Sequence, residues 1–492
     1  MSLKSKKVVV YLTSLFCIGF LLYGCYKNPV TGKKELSFMS EEKEKAIGKQ
    51  SDPEVVAQFG LYEDDKIQQF INEKGQEMVK VSHRPNLDFE FKVLNSPVVN
   101  AFALPGGYVY FTRGILAHFN NEAEFAGVLG HEIGHVTARH GAEQYTNQML
   151  SQIGLIAGLV LSPTVRQFAN EISQGIQLMM LSNSRENESQ SDRLGVEYST
   201  KVGYDANNMA EFFRTLERLG DQSGASEIPT FLSTHPNPAD RHDNVHELAA
   251  EWQSKVNEGP YEIDRGDYLD IINGIMYGEN PREGYVENNV FYHPDLRFTF
   301  PFPNGWKLAN SSSQVQMAPE DGSAMMVMSL AQGNSLREAA DAFIQQYQLT
   351  LVESNSKKVN GFNSYQIVAD QVNQQTPDQS VRLVVYYYQD TRNDLIYQIL
   401  GVAPKNNFSS TSNYFLFTMD NFKRLTESAK INVRPERIKV VQVPFSMTLE
   451  NALRRFNMPV KRFDELSILN SMNLNDELKA NQKIKVVEKY NP

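Results

Sequence analysis

Cysteine is almost absent from this chain of 492 residues, which contains only Cys17 and Cys25. Both lie near the N-terminus, so the rest of the sequence can form no internal disulfide. A disulfide-stabilised scaffold is therefore excluded, and the fold must rely on hydrophobic cores or on bound metal. Hydrophobic residues make up 41% of the chain and aromatic residues 11%, which is enough material for such cores.

An excess of basic residues is also missing. The chain has 48 lysine and arginine residues against 58 aspartate and glutamate residues, which gives a formal net charge of −10. No long basic stretch interrupts this balance, and this argues against a nucleic-acid-binding protein. Internal repeats and low-complexity segments are absent as well, and the length predicts two to four globular domains at about 150 residues each.

Long hydrophobic runs are confined to two places. Residues 153–161 are strongly apolar but too short to span a bilayer, which needs about 20 residues. We predict a buried or lid helix there, with a membrane-surface or substrate-facing element as the alternative. The other run, residues 8–22, belongs to the N-terminal segment.

The N-terminal segment has the layout of an export signal. Lysines at positions 4, 6 and 7 precede the apolar run, and Leu22-Tyr23-Gly24-Cys25 follows it. This resembles a bacterial lipoprotein signal, in which residues 1–24 are removed and Cys25 is acylated. The alternative is an uncleaved membrane anchor. Either interpretation places the remaining chain outside the cytoplasm and attached to a membrane.

The most informative feature that is present is the motif His131-Glu132-Ile133-Gly134-His135. Two histidines four apart on a helix project from the same face, so both imidazoles can bind one Zn²⁺. Glu132 between them can act as general base toward a water molecule on that metal. The motif therefore predicts the centre of a zinc hydrolase.

The surrounding sequence predicts a helix for this motif. Asn120-Asn121-Glu122 supplies a capping residue and a first-turn acid, and the helix should continue to Tyr145 because no proline interrupts it. Three glycines on one face predict close approach of a neighbouring backbone, because glycine otherwise costs a helix about 1 kcal/mol each. They are Gly127, Gly130 and Gly134.

A third metal ligand is expected, because catalytic zinc sites keep three protein ligands and leave the fourth position to water. Glu188 and Asp192 lie four apart downstream and would share one helix face. Glu188 can complete a His₂Glu site, while Asp192 can hold a ligand histidine by its other ring nitrogen. From spacing alone, the segment is equally well explained as a charged, solvated helix face.

Together these motifs resemble the gluzincin metalloprotease family of the CAAX prenyl endopeptidases, HtpX and the BepA-type periplasmic proteases. The resemblance covers residues 25 to about 250. It extends to further segments, namely Asn28-Pro29-Val30-Thr31-Gly32, the stretch from Asn100 to Gly107, Arg139-His140, Gly203-Tyr204-Asp205, and Thr234-His235-Pro236 with Arg241. Gln190-Ser191 departs from the Glu-Ala or Gln-Ala of many members but leaves Glu188 and Asp192 intact.

The resemblance implies one zinc ion per chain. Its ligands would be His131, His135 and Glu188, and Glu132 would activate water. Asp192 and His140 would support the ligands from outside.

The resemblance also implies residues that act on the substrate. His235 would lie on a loop covering the metal, and Arg241 would meet the transition-state oxyanion. The alternatives are a turn histidine before proline and a structural ion pair. An active-site edge strand would pair with an extended substrate, and it comprises Asn100, Ala101, Phe102 and Ala103.

We predict a multidomain architecture. After the signal at 1–24, residues 25–255 form a mainly α-helical zinc metalloprotease domain with a small β-sheet, and 256–289 form a linker. Residues 290–430 are predicted as an α+β domain with a mainly antiparallel sheet, which resembles PsbP-like modules. Residues 438–492 follow the order strand, helix, helix, strand and resemble a degenerate LysM domain.

The sequence and its resemblance predict a zinc metalloendopeptidase of the cell envelope, lipid-anchored at the outer membrane and facing the periplasm. Its substrates would be misfolded or misassembled envelope proteins. Its partners would be the membrane, through Cys25, and the outer-membrane assembly machinery. Two other classes remain open: an assembly chaperone or scaffold with a closed zinc site, and a peptidoglycan-binding protein led by its C-terminal unit.

Overall fold

The computed structural model of this chain describes residues 25–152, 183–223, 230–235, 241–256, 259–264, 267–372 and 380–489. The predicted export signal and the apolar run at 153–161 lie outside these ranges. Within them, no helix combines the length and the apolar character needed to cross a membrane.

The first part of the chain is mainly helical and contains a small sheet. In chain order its elements are β1 (Cys25–Lys27), β2 (Lys34–Leu36), α1 (Glu41–Phe59), α2 (Asp65–Val79), β3 (Glu90–Leu94), β4 (Ala101–Leu104), β5 (Tyr108–Thr112), α3 (Arg113–His118), α4 (Glu122–Ala138), α5 (His140–Gln152), α6 (Arg185–Lys201), α7 (Asn207–Ser223), α8 (Thr230–Thr234) and α9 (Arg241–Val256).

The small sheet has the order β3-β5-β4. β3 runs parallel to β5, and β4 pairs with β5 in antiparallel register, with Ala101 opposite Phe111. The small β-sheet predicted for this domain is therefore present. Gly107 makes the tight turn between β4 and β5, because its φ of +104° is one that side-chain-bearing residues rarely adopt. β4 therefore lies at an edge of the sheet.

The prediction of a single helix from Glu122 to Tyr145 is wrong, because the helix is interrupted at Arg139. α4 ends at Ala138, because Arg139 takes the left-handed conformation with φ 64°, and α5 begins at His140. The Arg139 side chain then forms an ion pair with buried Glu44 and donates to the carbonyl oxygen of Met39 at 2.7 Å. Contacts of the Arg139 side chain with residues that are distant in sequence thus end the helix.

The N-terminal hairpin β1–β2 packs against this end of α4. Asn28, in the turn of the hairpin, donates its amide to the carbonyl oxygen of Ala138 at 3.2 Å. The ring of Tyr26 lies 3.7 Å from the Arg139 guanidinium carbon, in a cation–π contact. The hairpin is therefore part of the helical domain and not a free extension.

Gly130 and Gly134 of α4 pack against α6, in agreement with the close approach predicted from the sequence, whereas Gly127 faces Met209 of α7. A Cβ atom added to Gly130 would lie 2.9 Å from the carbonyl oxygen of Gly195, and one added to Gly195 would lie 2.9 Å from that of Gly127. No side chain fits between backbones at this distance. The glycines thus bring the two helices that carry the predicted zinc ligands into direct contact.

The middle of the chain contains two antiparallel sheets. Its elements are α10 (Tyr268–Ile272), β6 (Met276–Tyr277), a 3₁₀ turn (Pro281–Glu283), β7 (Tyr285–Glu287), β8 (Val290–His293), β9 (Phe298–Pro301), β10 (Trp306–Asn310), β11 (Gln314–Pro319), β12 (Met325–Ala331), α11 (Leu336–Gln346), β13 (Thr350–Val359), β14 (Phe362–Gln371), β15 (Val381–Asp390), β16 (Leu395–Pro404), α12 (Phe408–Asp420), β17 (Lys423–Arg424) and α13 (Ser428–Ile431).

The larger of these sheets has the order β10-β11-β12-β16-β15-β14-β13, and the smaller has the order β17-β9-β8-β7. Separate hydrophobic clusters cover the two faces of the large sheet, one containing Phe415 of α12 and the other Phe343 of α11. The predicted mainly antiparallel α+β arrangement is present. Residues 256–289, predicted as a linker, instead include α10, β6 and β7, and buried Tyr268 and Ile272 tie α10 to the first domain.

The C-terminal part has the predicted order of strand, helix, helix and strand. Its elements are β18 (Glu436–Gln442), β19 (Met447–Thr448), α14 (Leu449–Arg455), a 3₁₀ turn (Val460–Arg462), α15 (Phe463–Leu469), β20 (Glu477–Leu478) and β21 (Lys483–Lys489).

This C-terminal unit shares one hydrophobic core with the helical domain, to which it contributes Ile438, Leu453 and Val486. The buried ammonium of Lys485 crosses the boundary and donates to the carbonyl oxygens of Ala117 and Phe119, both at 2.9 Å. The two carbonyls lie at the end of α3 and the turn after it. The first domain and the C-terminal unit therefore form a single packed body.

Candidate active site

Four elements of the helical domain bring the predicted site residues together. α4 carries His131, Glu132 and His135, and its start is capped by Asn121, whose side chain accepts from the amide of Glu124 at 2.8 Å. α6 carries Glu188 and Asp192 and is capped by Ser184 in the same way. His235 follows α8, and Arg241 begins α9. All these functional side chains are buried.

Four donor atoms converge at one point. His131 Nε2 lies 3.0 Å from His135 Nε2 and 3.2 Å from His235 Nδ1. Glu188 Oε1 lies 3.0 Å from His235 Nδ1 and 3.3 Å from His135 Nε2. Ligands of a tetrahedral zinc ion at 2.0–2.1 Å are separated by about 3.3 Å, so these four donors fit zinc. The group could therefore hold a metal ion.

Glu132 lies beside this group with an unusual environment. Both of its carboxylate oxygens are buried, and neither has a hydrogen-bond partner among the described residues. Its Oε1 is 3.6 Å from His235 Nε2. A buried carboxylate without donors is costly, and a bound water or a metal-centred group would supply the missing interaction. This is a second observation that the residues fit a hydrated zinc ion.

Asp192 and Arg241 orient His131 from behind. Asp192 Oδ1 accepts from His131 Nδ1 at 2.9 Å, which leaves the Nε2 lone pair directed at the donor group. Arg241 donates to both oxygens of Asp192 at 2.7 Å. Burial alone would raise the pKa of the Asp192 carboxyl, but the Arg241 guanidinium and His131 hold that pKa below its usual value. Asp192 is therefore an acceptor.

His140 plays the corresponding part for His135. Burial lowers the pKa of His140 to about 3, so the ring is neutral. Its Nε2–H donates to Gln190 Oε1 at 2.9 Å, and its Nδ1 therefore accepts from His135 Nδ1 at 2.9 Å. This chain of hydrogen bonds leaves His135 Nε2 free to bind a metal. Nothing in the sequence pattern singled out Gln190 for this contact.

His235 and Arg241 occupy positions that bear on their predicted roles. His235 stacks on Phe231 with ring centroids 4.4 Å apart and supplies the fourth donor atom of the group. Arg241 packs over the ring of Phe213 at 4.0 Å, and its NH2 also lies 3.3 Å from Glu188 Oε2. Its guanidinium is thus engaged with two carboxylates. Contact with an oxyanion remains a prediction.

The predicted substrate strand borders the same cleft. Ala101, Phe102 and Ala103 lie within β4, and Asn100 precedes it. Phe102 and Ala103 line the cleft together with Glu132, His135 and His235, whereas Asn100 and Ala101 are not part of the described lining. The buried backbone N–H of Asn100 donates to the Thr112 hydroxyl at 3.2 Å. The free edge of β4 is therefore the side available for an added strand.

Residues 65–249 match the family described as Peptidase family M48. The beta-barrel assembly-enhancing protease of Escherichia coli (strain K12) is 33% identical over 190 residues, covering 37% of this chain and 38% of that protein. The mitochondrial metalloendopeptidase OMA1 of Arabidopsis thaliana is 31% identical over 178 residues, covering 36% of this chain and 35% of that protein.

The chain thus spans well under half the length of these curated relatives. A solved cyanobacterial PsbP from Synechocystis covers 27% of this chain and 91% of its own, at 9% identity and a TM-score of 0.24. That TM-score supports no assignment, so the PsbP-like interpretation stays a prediction. The LysM-like interpretation also stays a prediction. The family match, in contrast, spans both helices that carry the buried donor group. This chain therefore contains a domain of peptidase family M48, at residues 65–249.

Proposed function

We propose that this chain is a zinc metalloendopeptidase of the cell envelope, which cleaves misfolded or misassembled envelope proteins. One observation carries the proposal: a tetrahedrally spaced group of buried donors stands beside a buried glutamate that has no hydrogen-bond partner in the described structure. His131, His135 and Glu188 would hold the zinc. When bound, zinc supplies a Lewis acid that polarises the scissile carbonyl and promotes ionisation of water.

Each of the other side chains of this site has its own role in the proposed reaction. Glu132 accepts a proton from the attacking water and returns it to the leaving amine, as its unpaired carboxylate permits. Asp192 and His140 fix the tautomers of His131 and His135, and Arg241 holds Asp192 in place. The edge of β4 binds the substrate as an extended strand and so positions the peptide bond over the cleft.

The sequence supports an envelope location for this activity. Residues 4–25 have the order of a lipoprotein signal, and acylated Cys25 would attach the chain to a membrane. We place it at the outer membrane, facing the periplasm. The beta-barrel assembly-enhancing protease of Escherichia coli is similar to this chain in sequence. By analogy with the name of that relative, we propose the outer-membrane assembly machinery as a partner of this chain. Peptidoglycan is a further candidate ligand for the C-terminal unit.

The direct test replaces the proposed base. Glu132→Gln keeps the shape of the side chain but cannot accept a proton, so cleavage of an unfolded protein should fall by about 10²–10⁴-fold. Zinc content and thermal stability should be unchanged, because Glu132 is not among the donors. Cleavage rates and elemental analysis measure both.

Glu143→Gln is the matched control, since it removes the same charge at an exposed position on α5. It should cleave like the wild type. Undiminished proteolysis by the Glu132→Gln protein would exclude this mechanism. Comparing envelope proteomes of cells that carry the two variants would then identify substrates.

A second function is favoured by the position of His235. Its Nδ1 completes the donor group, and four protein ligands are typical of structural zinc sites, which leave no position for water. In that state the chain would act as a chaperone or scaffold in envelope assembly. Zinc spectroscopy that finds four protein ligands, together with an inactive wild type, would favour this alternative.

A further inference from the structure

A second group of potential ligands lies on the surface formed by α7 and α9, outside the donor group of the cleft. α9 presents His242 and His246 one turn apart, and α7 presents Glu211 opposite them. The exposed fractions of these side chains are 24%, 37% and 43% in that order. All three are therefore open to an ion from solution while resting on two packed helices.

The spacing of the two imidazoles suits a tetrahedral ion. His242 Nε2 and His246 Nε2 are 3.3 Å apart. Two nitrogens bound to one zinc ion at 2.0–2.1 Å and a tetrahedral angle are separated by about 3.3 Å. Glu211 Oε1 lies 3.8 Å from the first nitrogen and 4.0 Å from the second. A half-exposed glutamate can close that remaining gap by a small rotation of its side chain.

The other ring nitrogens fix both tautomers. His242 Nδ1 lies 3.0 Å from Asp243 Oδ1, and a carboxylate can only accept, so this nitrogen carries the proton. His246 Nδ1 lies 2.7 Å from Asn207 Oδ1. The amide nitrogen of Asn207 is committed to Asp205 at 2.7 Å, so its oxygen faces the histidine and accepts. When the rings are neutral, both Nε2 atoms thus carry lone pairs.

Two lone pairs that face each other repel unless a cation lies between or beside them. In this structure Arg214 supplies that positive charge, because its NH2 donates to His242 Nε2 at 2.9 Å and its NH1 lies 3.1 Å from Glu211 Oε2. The Arg214 side chain is 56% exposed, so it can leave without disturbing the core. Imidazoles held by oxygen acceptors on their far side are the usual arrangement of metal ligands.

We propose that His242, His246 and Glu211 bind a second divalent transition-metal ion of the zinc type, which displaces the Arg214 guanidinium. Two imidazoles and one carboxylate are ligands that suit Zn²⁺ and its neighbours rather than Mg²⁺ or Ca²⁺. Water completes the coordination at this open surface. This site is separate from the donor group in the cleft and does not depend on the proposed proteolysis.

The location gives this ion a structural effect. His242 directly follows Arg241, which holds Asp192 and, through it, His131. An ion that joins the first turn of α9 to α7 therefore fixes the backbone next to Arg241. Occupancy of the surface site should stabilise the helical domain in the way that any ligand of the native state does.

The test counts zinc ions on the full chain. Full-length protein in the Glu132→Gln background, dialysed and then titrated with Zn²⁺ by calorimetry, should bind a second equivalent. His246→Ala should remove that equivalent and leave the first unchanged. Glu211→Gln keeps the shape of the side chain and should weaken the second Kd about 10-fold or more, since it loses a charged ligand. Circular dichroism confirms that the variants fold.

Arg214→Ala supplies a result that scattered surface histidines would not give. Removal of the competing guanidinium should tighten the second Kd about two- to fivefold, the strength of an exposed ion pair. Arg282→Ala, which removes an exposed arginine that pairs with Asp295 elsewhere, should leave it unchanged. Equal zinc stoichiometry in the wild type and His246→Ala would overturn the proposal, as would weaker binding by Arg214→Ala.

Discussion

Among single residues, His235 has the greatest influence on how the donor group in the cleft can be used. Its ring lies between Glu188 and Glu132, with Nδ1 3.0 Å from the first and Nε2 3.6 Å from the second. A neutral imidazole is a good zinc ligand, so His235 competes with water for the fourth position. We therefore expect that substrate reaches the metal only after this ring moves away.

His235→Ala should therefore raise proteolysis, including self-cleavage, while zinc is retained on the other three ligands. A tenfold increase would correspond to a closed state favoured by about 1.4 kcal/mol. Cleavage rates of an unfolded protein and elemental analysis measure the two quantities. Ser233→Ala, an exposed change on α8 just before His235, is the control and should leave both unchanged. Lower activity with intact zinc would instead make His235 a substrate contact.

Most residues of the candidate active site were predictable because their chemistry imposes a local pattern. His131, Glu132 and His135 follow from helical spacing, and Glu188 and Asp192 from the same four-residue rule combined with the family resemblance. Gln190, which orients His140, and Glu44, which pairs with Arg139, were not predictable. Their partners are fixed by tertiary packing between segments far apart in sequence.

Among the elements, the contact between α4 and α6 sets the geometry of the donor group. Both helices carry ligands, and their backbones touch at Gly127, Gly130 and Gly195. The bare helix face is readable from the sequence. The end of α4 at Arg139 is not, since its left-handed conformation is stabilised by contacts from β1 and α1 that no local pattern encodes.

Gly130→Ala tests this contact. The added methyl would lie 2.9 Å from the Gly195 carbonyl oxygen and 3.2 Å from Met78 Sδ, so the helices must separate. Overpacking of this kind costs about 1–3 kcal/mol of unfolding free energy. Zinc affinity should also fall, because His131 is the next residue. Thermal denaturation and zinc titration give both values.

Gly220→Ala is the control for helix propensity. Gly220 lies within α7, where alanine should leave the stability equal or raise it by up to about 1 kcal/mol. If Gly130→Ala were as stable as the wild type and bound zinc normally, the close packing would have no role in the geometry of the donor group.

For the whole molecule, the most consequential contact is that of Lys485 with the first domain. Burial lowers the pKa of this ammonium to about 7, and the charge of Glu124 opposes that shift. The unfolded chain therefore binds one more proton than the folded chain between about pH 7 and the ordinary lysine value near 10.4. Stability from this group accordingly rises with pH across that window.

Lys485→Met should destabilise the protein by about 2–6 kcal/mol at pH 9, since two buried carbonyls lose their donor. The difference from the wild type should be smaller at pH 7, where the wild type still bears the cost of a buried charge. Chemical denaturation at the two pH values measures this. Lys439→Met, which removes an exposed pair with Glu488, is the control and should change little at either pH.

A pH-independent difference would contradict the assigned pKa.

The sequence predicted the strand and helix order of the C-terminal unit but treated residues 438–492 as a separate domain. Nothing in the pattern around Lys485 indicates that its partners lie on α3, more than three hundred residues earlier in the chain. Domain boundaries drawn from composition therefore miss a shared core.

The attachment of the N-terminal hairpin to α4 limits how far the helical domain can lie from Cys25. Asn28 is bonded to the last turn of α4 at Ala138, only three residues after Cys25. An extended residue spans at most about 3.6 Å, so a lipid on Cys25 would hold the backbone of Asn28 within about 11 Å of its attachment point, and the end of that helix lies one side chain and one hydrogen bond farther away. Under the proposed lipid attachment, the cleft would reach only proteins that lie close to the membrane surface, and we expect its substrates to be found there.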